Sequence, residues 1–205
     1  MLYQHLHDTL SPIIRKPVDI GILTSGGLDS TVLLYTCRMI KADIAGAADF
    51  HAFTVVITEE DAYVRNIISR IDTNIDHTIL EYNSNVNENM RVHDALSAAK
   101  QMCDFLLLGD TANPSHLSDG PTRHRSTHRR YIQPFFDWTK DKVVALAREI
   151  NMPADLISLT ATCDHEPPCG NCWPCQERAW AFAANNLADP KMVTVAGLEP
   201  ATRGV

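Results

Sequence analysis

A chain of 205 residues, 45% of them hydrophobic, can build one well-buried domain with a small appendage. Its net charge of −7 argues against broad electrostatic binding to a nucleic-acid backbone, and no apolar run reaches membrane-spanning length. Met1 to Pro12 carries His5, His7 and Asp8 and lacks the basic and apolar blocks of a signal peptide, so a cytoplasmic protein without membrane contact is expected.

Val18 to Leu23 is the first predicted strand. It stops at Ser25-Gly26-Gly27 and restarts as a helix-like stretch from Thr31 to Ile40, the strand, loop and helix order of a phosphate site. Glycines let the backbone approach an anion, successive amides form a nest, and the helix N-terminus adds partial positive charge, so a polyphosphate is the expected occupant. Gly21 and Gly26 have Walker A spacing, but Gly27 stands where that motif requires lysine, so a kinase or GTPase reading fails.

His51 to Thr58 reads as a second, buried strand, and Glu59-Glu60-Asp61 favours the start of a helix whose inner face is Tyr63, Val64, Ile67, Ile68 and Ile71. His77 to Tyr82 is a third strand, Asn87 to Met102 has helical composition, and Phe105 to Leu108 is a fourth strand leading to Gly109 and Asp110. Strands alternating with helices predict a Rossmann-like α/β fold, a parallel sheet with helices on both faces and a ligand at the strands' carboxyl ends, where Ser25 and Asp110 project.

From Thr111 to Arg130 the pattern breaks into Asn, Pro, Ser, Asp and Gly. The stretch carries Arg123, His124, Arg125, His128, Arg129 and Arg130. It reads either as a solvated loop, as a lid whose arginines meet an anionic substrate or triphosphate, or as an RNA contact. Tyr131 to Phe136 is a short extended segment. Thr139 is the expected N-cap of a helix from Lys140 to Ile150, stopped by Asn151 before Met152-Pro153. A first region, 1–155, would bind nucleotide, and 156–205 would form a small metal-binding helical region packed on it. Val193 to Val195 reads as an edge strand or dimer contact, and Leu198 to Val205 as a tail.

Six cysteines are present, and four fall close together: Cys163, Cys169, Cys172 and Cys175. Such clustering in a cytosolic chain points to a metal rather than to disulfides, with Gly170 permitting the knuckle. Four thiolates leave no vacant position, so the ion would be structural, pinning Cys163 to the start of a helix near Gln176 to Leu187. An iron-sulfur cluster is the competitor, but its fourth cysteine usually follows the other three, whereas here it precedes them, which favours Zn2+. His165 is expected outside the ligand set. Cys37 and Cys103 lie in apolar stretches and read as buried core thiols.

The segment Ser25-Gly26-Gly27-Leu28-Asp29-Ser30 resembles the Ser-Gly-Gly-x-Asp-Ser loop of the ATP pyrophosphatase (PP-loop) superfamily. That resemblance implies an adenine nucleotide alpha hydrolase-like fold that binds ATP and Mg2+ and leaves an adenylated substrate. Ser25, Gly26, Gly27, Leu28 and Ser30 would form the phosphate loop, and Asp29 would sit near Mg2+. The segment around Pro134 and Lys140 is similar to the proline-to-lysine element of these enzymes, which implies that Lys140 contacts ATP phosphate or the adenylate. The third landmark, Cys163 followed by Cys169-Gly170-Asn171-Cys172-Trp173-Pro174-Cys175 and Arg178, resembles the carboxyl end of the 7-cyano-7-deazaguanine synthase family. The order and separation of the three landmarks agree with that family.

The implied reaction is ATP-dependent conversion of 7-carboxy-7-deazaguanine, with ammonia, to the amide and then to 7-cyano-7-deazaguanine, a step of queuosine-type biosynthesis. Asp110, Arg123 and Arg125 are the candidate substrate contacts. This chain reads Thr58-Glu59-Glu60-Asp61-Ala62-Tyr63 and Asp110-Thr111-Ala112-Asn113-Pro114-Ser115 where the family usually has Tyr-Gly-Gln and Tyr-Pro-Asp-Cys-Arg-like elements. Arrest at the amide, modification of an RNA base, and a zinc-stabilised nucleotide-binding module without turnover therefore stay open. A homodimer is common in the resembled family, and stable nucleic-acid binding is not expected.

Overall fold

Ile20 and Ile22 enter one apolar core, while Leu23 packs against another, because successive side chains of a strand point to opposite faces. That alternation in β1 (Asp19–Leu23) places the first strand at the centre of a sheet covered on both faces. The computed structural model describes residues 1–56, 62–81, 97–118, 120–163, 165 and 167–195. Five parallel strands stand in the order β3-β2-β1-β4-β5, with β2 at Asp49–Val56, β3 at Asp76–Glu81, β4 at Phe105–Leu107 and β5 at Tyr131–Ile132. The predicted parallel α/β fold is present.

The larger core lies on the side of α1 (Leu2–Ile14), α2 (Leu28–Ile44) and α3 (Ala62–Ile71), joined by α5 (Lys140–Glu149) and α6 (Ala154–Leu159). On the opposite face Phe53, Leu106 and Leu108 pack with Ala99 and Cys103 from and beside α4, helical over 97–102. Cys37 and Cys103 are both buried as expected, and burial pushes the Cys37 thiol up to about 12.

Several bounds shift. The strand expected over His51 to Thr58 is Asp49–Val56; positions 57–61, including the acidic helix start, lie outside the described residues. The same holds for Tyr82 and for 87–96 of the expected third helix, and for the tail from Leu198. The segment from Tyr131 to Phe136 is extended only over Tyr131–Ile132, because Gln133 is drawn aside by its hydrogen bonds and Pro134 follows. Thr139 is the N-cap of α5 by position, but its hydroxyl bonds the Asp141 carboxylate rather than a backbone amide. Asn151 adopts φ +51°, the left-handed stop expected there.

Three helices escape the sequence reading, the last of them at Pro190–Val195. In α1, Pro12 and the interleaved histidines mask the buried stripe Leu6, Leu10 and Ile14. The six residues of α6 are too few to show a period. Val193 to Val195 is not an edge strand: it ends α8 (Pro190–Val195). Asp189 accepts the Lys191 N–H at 3.0 Å and Pro190 presets the helical φ, so the chain turns into a helix there. Before it, α7 (Trp173–Ala184) begins three residues earlier than the expected Gln176, directly at Cys172.

Candidate functional site

The sheet order reverses between β1 and β4, and the crevice outside their carboxyl ends is where doubly wound folds place ligands. A cavity of about 230 Å³ opens there. It is lined by Leu23, Ser25, Gly27, Asp29 and Ser30 on one side and by Leu108 to Thr111 with Arg123 on the other.

The loop after β1 is held by its own glycine and hydroxyl contacts. Gly26 has φ +75°, a left-handed conformation that side chains rarely adopt, and a Cβ there would stand 2.4 Å from the Tyr63 ring. Ser25 N–H donates to Ser30 Oγ at 3.2 Å, Gly27 N–H donates to Ser25 Oγ at 3.3 Å, and Ser30 Oγ donates to the Gly27 carbonyl at 3.2 Å. Tyr63 O–H donates to the Ser25 carbonyl at 3.2 Å, closing the far side. Gly27 caps α2, and Leu28 begins the helix, buried in the core rather than facing the cavity. The result is a cup of serine hydroxyls at a helix N-terminus, a setting suited to phosphate oxygens.

At the opposite wall, a Cβ on Gly109 would lie 3.0 Å from Ser30 N, so the end of β4 approaches the head of α2 more tightly than a side chain there fits without a shift. Asp110 accepts from Gln133 Nε2 at 2.8 Å, and Gln133 Oε1 accepts the Ser126 N–H at 2.8 Å. One amide thus ties the cavity wall to the 111–130 segment. Arg123 reaches the cavity and donates to Asn113 Oδ1 at 3.4 Å. Arg125 does not: it pairs with Asp137 at 2.6 Å on the surface, its guanidinium 4.5 Å above the Phe136 ring.

Lys140 stands behind the cup rather than on its wall. Its Nζ lies 3.3 Å from Asp29 Oδ2 and 2.6 Å from Glu177 Oε2. Burial opposes the Lys140 charge, but the Asp29 and Glu177 carboxylates overcome it and raise the pKa. At Glu177 burial is the largest influence and raises the carboxyl, against the opposing pull of the Lys140 ammonium. Asp29 Oδ1 and Glu177 Oε1 are both buried without a hydrogen-bond partner.

The four cysteines converge. Their sulfurs all lie within 4.8 Å of one another, with Sγ–Sγ distances of 3.9 Å (Cys163–Cys169), 3.9 Å (Cys169–Cys175) and 3.6 Å (Cys175–Cys163). Cys163, Cys169, Cys172 and Cys175 could therefore hold a metal ion. His165 stays outside that set. Backbone N–H groups of Asn171 and Cys172 hold the Cys169 thiol down to about 6, the behaviour of a ready thiolate ligand, while burial pushes Cys175 up to about 12.

Cup and cage are joined. Ala161 N–H donates to the Gly26 carbonyl at 2.8 Å, two residues before Cys163, and Gly27 and Ala161 form an isolated parallel bridge. Arg178, buried, donates to Asp189 at 2.6 and 2.9 Å, to Thr160 Oγ1 at 2.7 Å and to the Ile157 carbonyl at 3.3 Å. Sequence reasoning missed Gln133 and Glu177. For Glu177 the available signal was an acid beside Arg178 in a helix otherwise rich in Ala, Trp and Phe, where a charge must have a partner; for Gln133 nothing local distinguishes it.

Residues 117–186, less than half of the chain, match the family model for "Queuosine biosynthesis protein QueC". No curated protein sequence matches the chain. Among solved structures, the U34-tRNA thiolase NcsA from Methanococcus maripaludis with its [4Fe-4S] cluster is similar at 15% identity and a TM-score of 0.56, over 96% of this chain and 76% of that one. The NMN synthetase from Francisella tularensis is similar at 13% identity and a TM-score of 0.50, over 98% and 95%. At such identities the likeness concerns the fold. The match to the QueC model is thus confined to 117–186, and the likeness over the whole chain is one of fold.

Proposed function

We propose that the chain is an ATP-dependent carbon-nitrogen ligase that adenylates the carboxylate of 7-carboxy-7-deazaguanine and transfers ammonia to it, giving the amide and then 7-cyano-7-deazaguanine. The observation that carries this reading is the preformed cup of Ser25, Gly26, Gly27 and Ser30 at the sheet's switch point, tied by a backbone hydrogen bond to a region that matches QueC.

A carboxylate oxygen is a poor leaving group, and adenylation makes it a good one. The substrate carboxylate attacks the α-phosphorus of ATP and pyrophosphate leaves; ammonia then adds to the acyl carbon and AMP departs, giving the amide. A second adenylation on the amide oxygen, followed by loss of AMP and a proton, gives the nitrile. The hydroxyls of Ser25 and Ser30 and the amides at the head of α2 would receive the departing pyrophosphate. Arg123, on the cavity wall, would balance charge around the adenylate, Lys140 would act on the site through Asp29, and Asp110, also on the wall, would accept from a substrate amine. Arg125, turned to Asp137, is not needed for this reading.

Mg2+ fits beside Asp29, whose Oδ1 is buried and without a partner, and would supply charge neutralisation for the phosphates. At the cage, Sγ–Sγ distances of 3.6–3.9 Å suit a single Zn2+, since tetrahedral Zn–S bonds of about 2.3 Å put sulfurs about 3.8 Å apart. Four irons, each binding its own cysteine, would need the sulfurs farther apart. The spacing of Cys163, Cys169 and Cys175 thus favours Zn2+ over an iron-sulfur cluster at the cage. Arrest at the amide is the second reading, since the stretch after Asp110 differs from the family's and its first residue, Thr111, lines the cavity.

The test is incubation with ATP, Mg2+, ammonium and 7-carboxy-7-deazaguanine, with mass spectrometry for acid, amide and nitrile. AMP and pyrophosphate with nitrile are expected. Amide alone supports the second reading, and ADP as the nucleotide product rejects both.

A further inference from the structure

Glu177 belongs neither to the thiol set nor to the cavity wall, yet it is wholly buried. A buried carboxylate needs a partner, and Glu177 has taken Lys140: the 2.6 Å contact is tighter than the 3.3 Å contact from the same Nζ to Asp29. Neutralising Lys140 would require only Asp29. The second carboxylate leaves the trio with one surplus negative charge and two buried oxygens, Asp29 Oδ1 and Glu177 Oε1, that nothing satisfies.

The support for Glu177 is rigid. Helix α7 starts on Cys172, so the cage sets its position along the axis, and Arg178 on the next residue is clamped by Asp189, Thr160 and Ile157, which prevents the helix from rotating. A side chain locked from both sides can hold a mobile lysine in one place.

Resting on the nucleotide-binding reading above, we propose that Glu177 is a positioning residue for the phosphate site: by anchoring the Lys140 ammonium from behind, it confines that ammonium to Oδ2 of Asp29 and keeps Oδ1 free for the cation that accompanies the nucleotide. Glu177 touches no reacting atom and acts through Lys140. The charged groups facing Lys140 are Asp29 from α2 and Glu177 from α7, and Arg123 of the 111–130 segment bears on Glu177.

The test uses metal-loaded protein and two variants, Glu177→Gln, which keeps shape but removes charge, and Glu177→Asp, which keeps charge but shortens the reach. Calorimetric titration with ATP and Mg2+ should show affinity reduced about tenfold in Glu177→Gln, with a partial recovery in Glu177→Asp. Melting temperature and bound metal should stay near wild type. The Lys140 amine, followed by NMR in 13Cε-labelled protein without nucleotide and identified by its loss in Lys140→Met, should titrate at lower pH in Glu177→Gln. Unchanged affinity together with an unmoved Lys140 titration overturns the proposal, and so does a loss of affinity in both variants that simply tracks lost metal or lost fold. Should the wild-type chain bind no nucleotide, the functional reading fails, while the Lys140 titration still decides whether Glu177 anchors it.

Discussion

The phosphate cup and the cysteine cage sit at two ends of one hydrogen-bonded connection, but they are held by different forces. The cup is fixed mostly from within six positions of the chain, by a left-handed glycine, three hydroxyl-mediated bonds and a helix N-terminus, with Tyr63 and the Ala161 N–H as outside supports. The cage combines bends before α7 with the head of α7 itself, where Cys172 is the N-cap and Cys175 lies in the first turn, and its thiol contacts among Cys163, Cys169 and Cys175 are 3.6–3.9 Å. A site made of local backbone geometry can wait for its ligand. A site made of converging thiols needs an ion to neutralise and bind them.

Withdrawing the metal should therefore break the cage first and the cup only through it. With metal present at about a thousandfold over its dissociation constant, removal costs about 4 kcal/mol, and at about 2–4 °C per kcal/mol for a chain of this size the melting temperature should fall by about 8–16 °C. Calorimetry before and after chelation checks this, and an unchanged melt would show that the thiols are held by the fold alone. Lys140→Met comes next. It strands the Asp29 and Glu177 carboxylates in the interior, for a loss of about 3 kcal/mol by urea unfolding and a collapse of nucleotide affinity. Because the folded Lys140 pKa is raised, its stabilisation is fully present below the ordinary lysine value and fades as pH rises through the folded value. Wild type should lose stability along that alkaline limb, and Lys140→Met should not.

Gly26→Ala sharpens the contrast from the other side. A Cβ at φ +75° and 2.4 Å from Tyr63 should cost about 2 kcal/mol and abolish nucleotide binding, while the metal content of the cage stays whole. Loss of metal in this variant would mean that the two regions fold as one. The smallest effect belongs to Asp72, remote from both. The Asn74 backbone N–H, with Arg38 at 2.5 Å, holds its carboxyl below the usual value, so its contribution is present above the unfolded pKa and lost as pH falls through the folded one. Asp72→Asn should flatten the acid limb by under about 1 kcal/mol, as expected of a solvent-screened pair, and leave nucleotide and metal binding alone.

Both motifs were readable because each packs its chemistry into a short run of sequence. Ser25 to Ser30 announces a turn between a strand and a helix, and the x2 spacing of Cys169, Cys172 and Cys175 announces a knuckle. The alternation of strands and helices likewise foretold the parallel sheet. Helix α8 was legible only in part: Asp189 before Pro190 is a local helix-start signal, but Val193 to Val195 reads as a strand, and the hold of Arg178 on Asp189 comes from another helix. Arg125 shows the same limit. Its sequence neighbourhood is as basic as that of Arg123, and only the approach of Asp137 and Phe136 draws it from the cavity.

By itself the order of residues determined the cup, the thiol set and the α/β class, because φ preference, ligand spacing and hydrophobic period are local properties. Tertiary structure alone decided that Lys140 would be shared by Asp29 and Glu177, that Gln133 would hold Asp110, and that Ala161 would join the cage to Gly26. Those pairings join residues far apart along the chain, and their energies depend on burial and distance, which exist only once the helices have packed on the sheet.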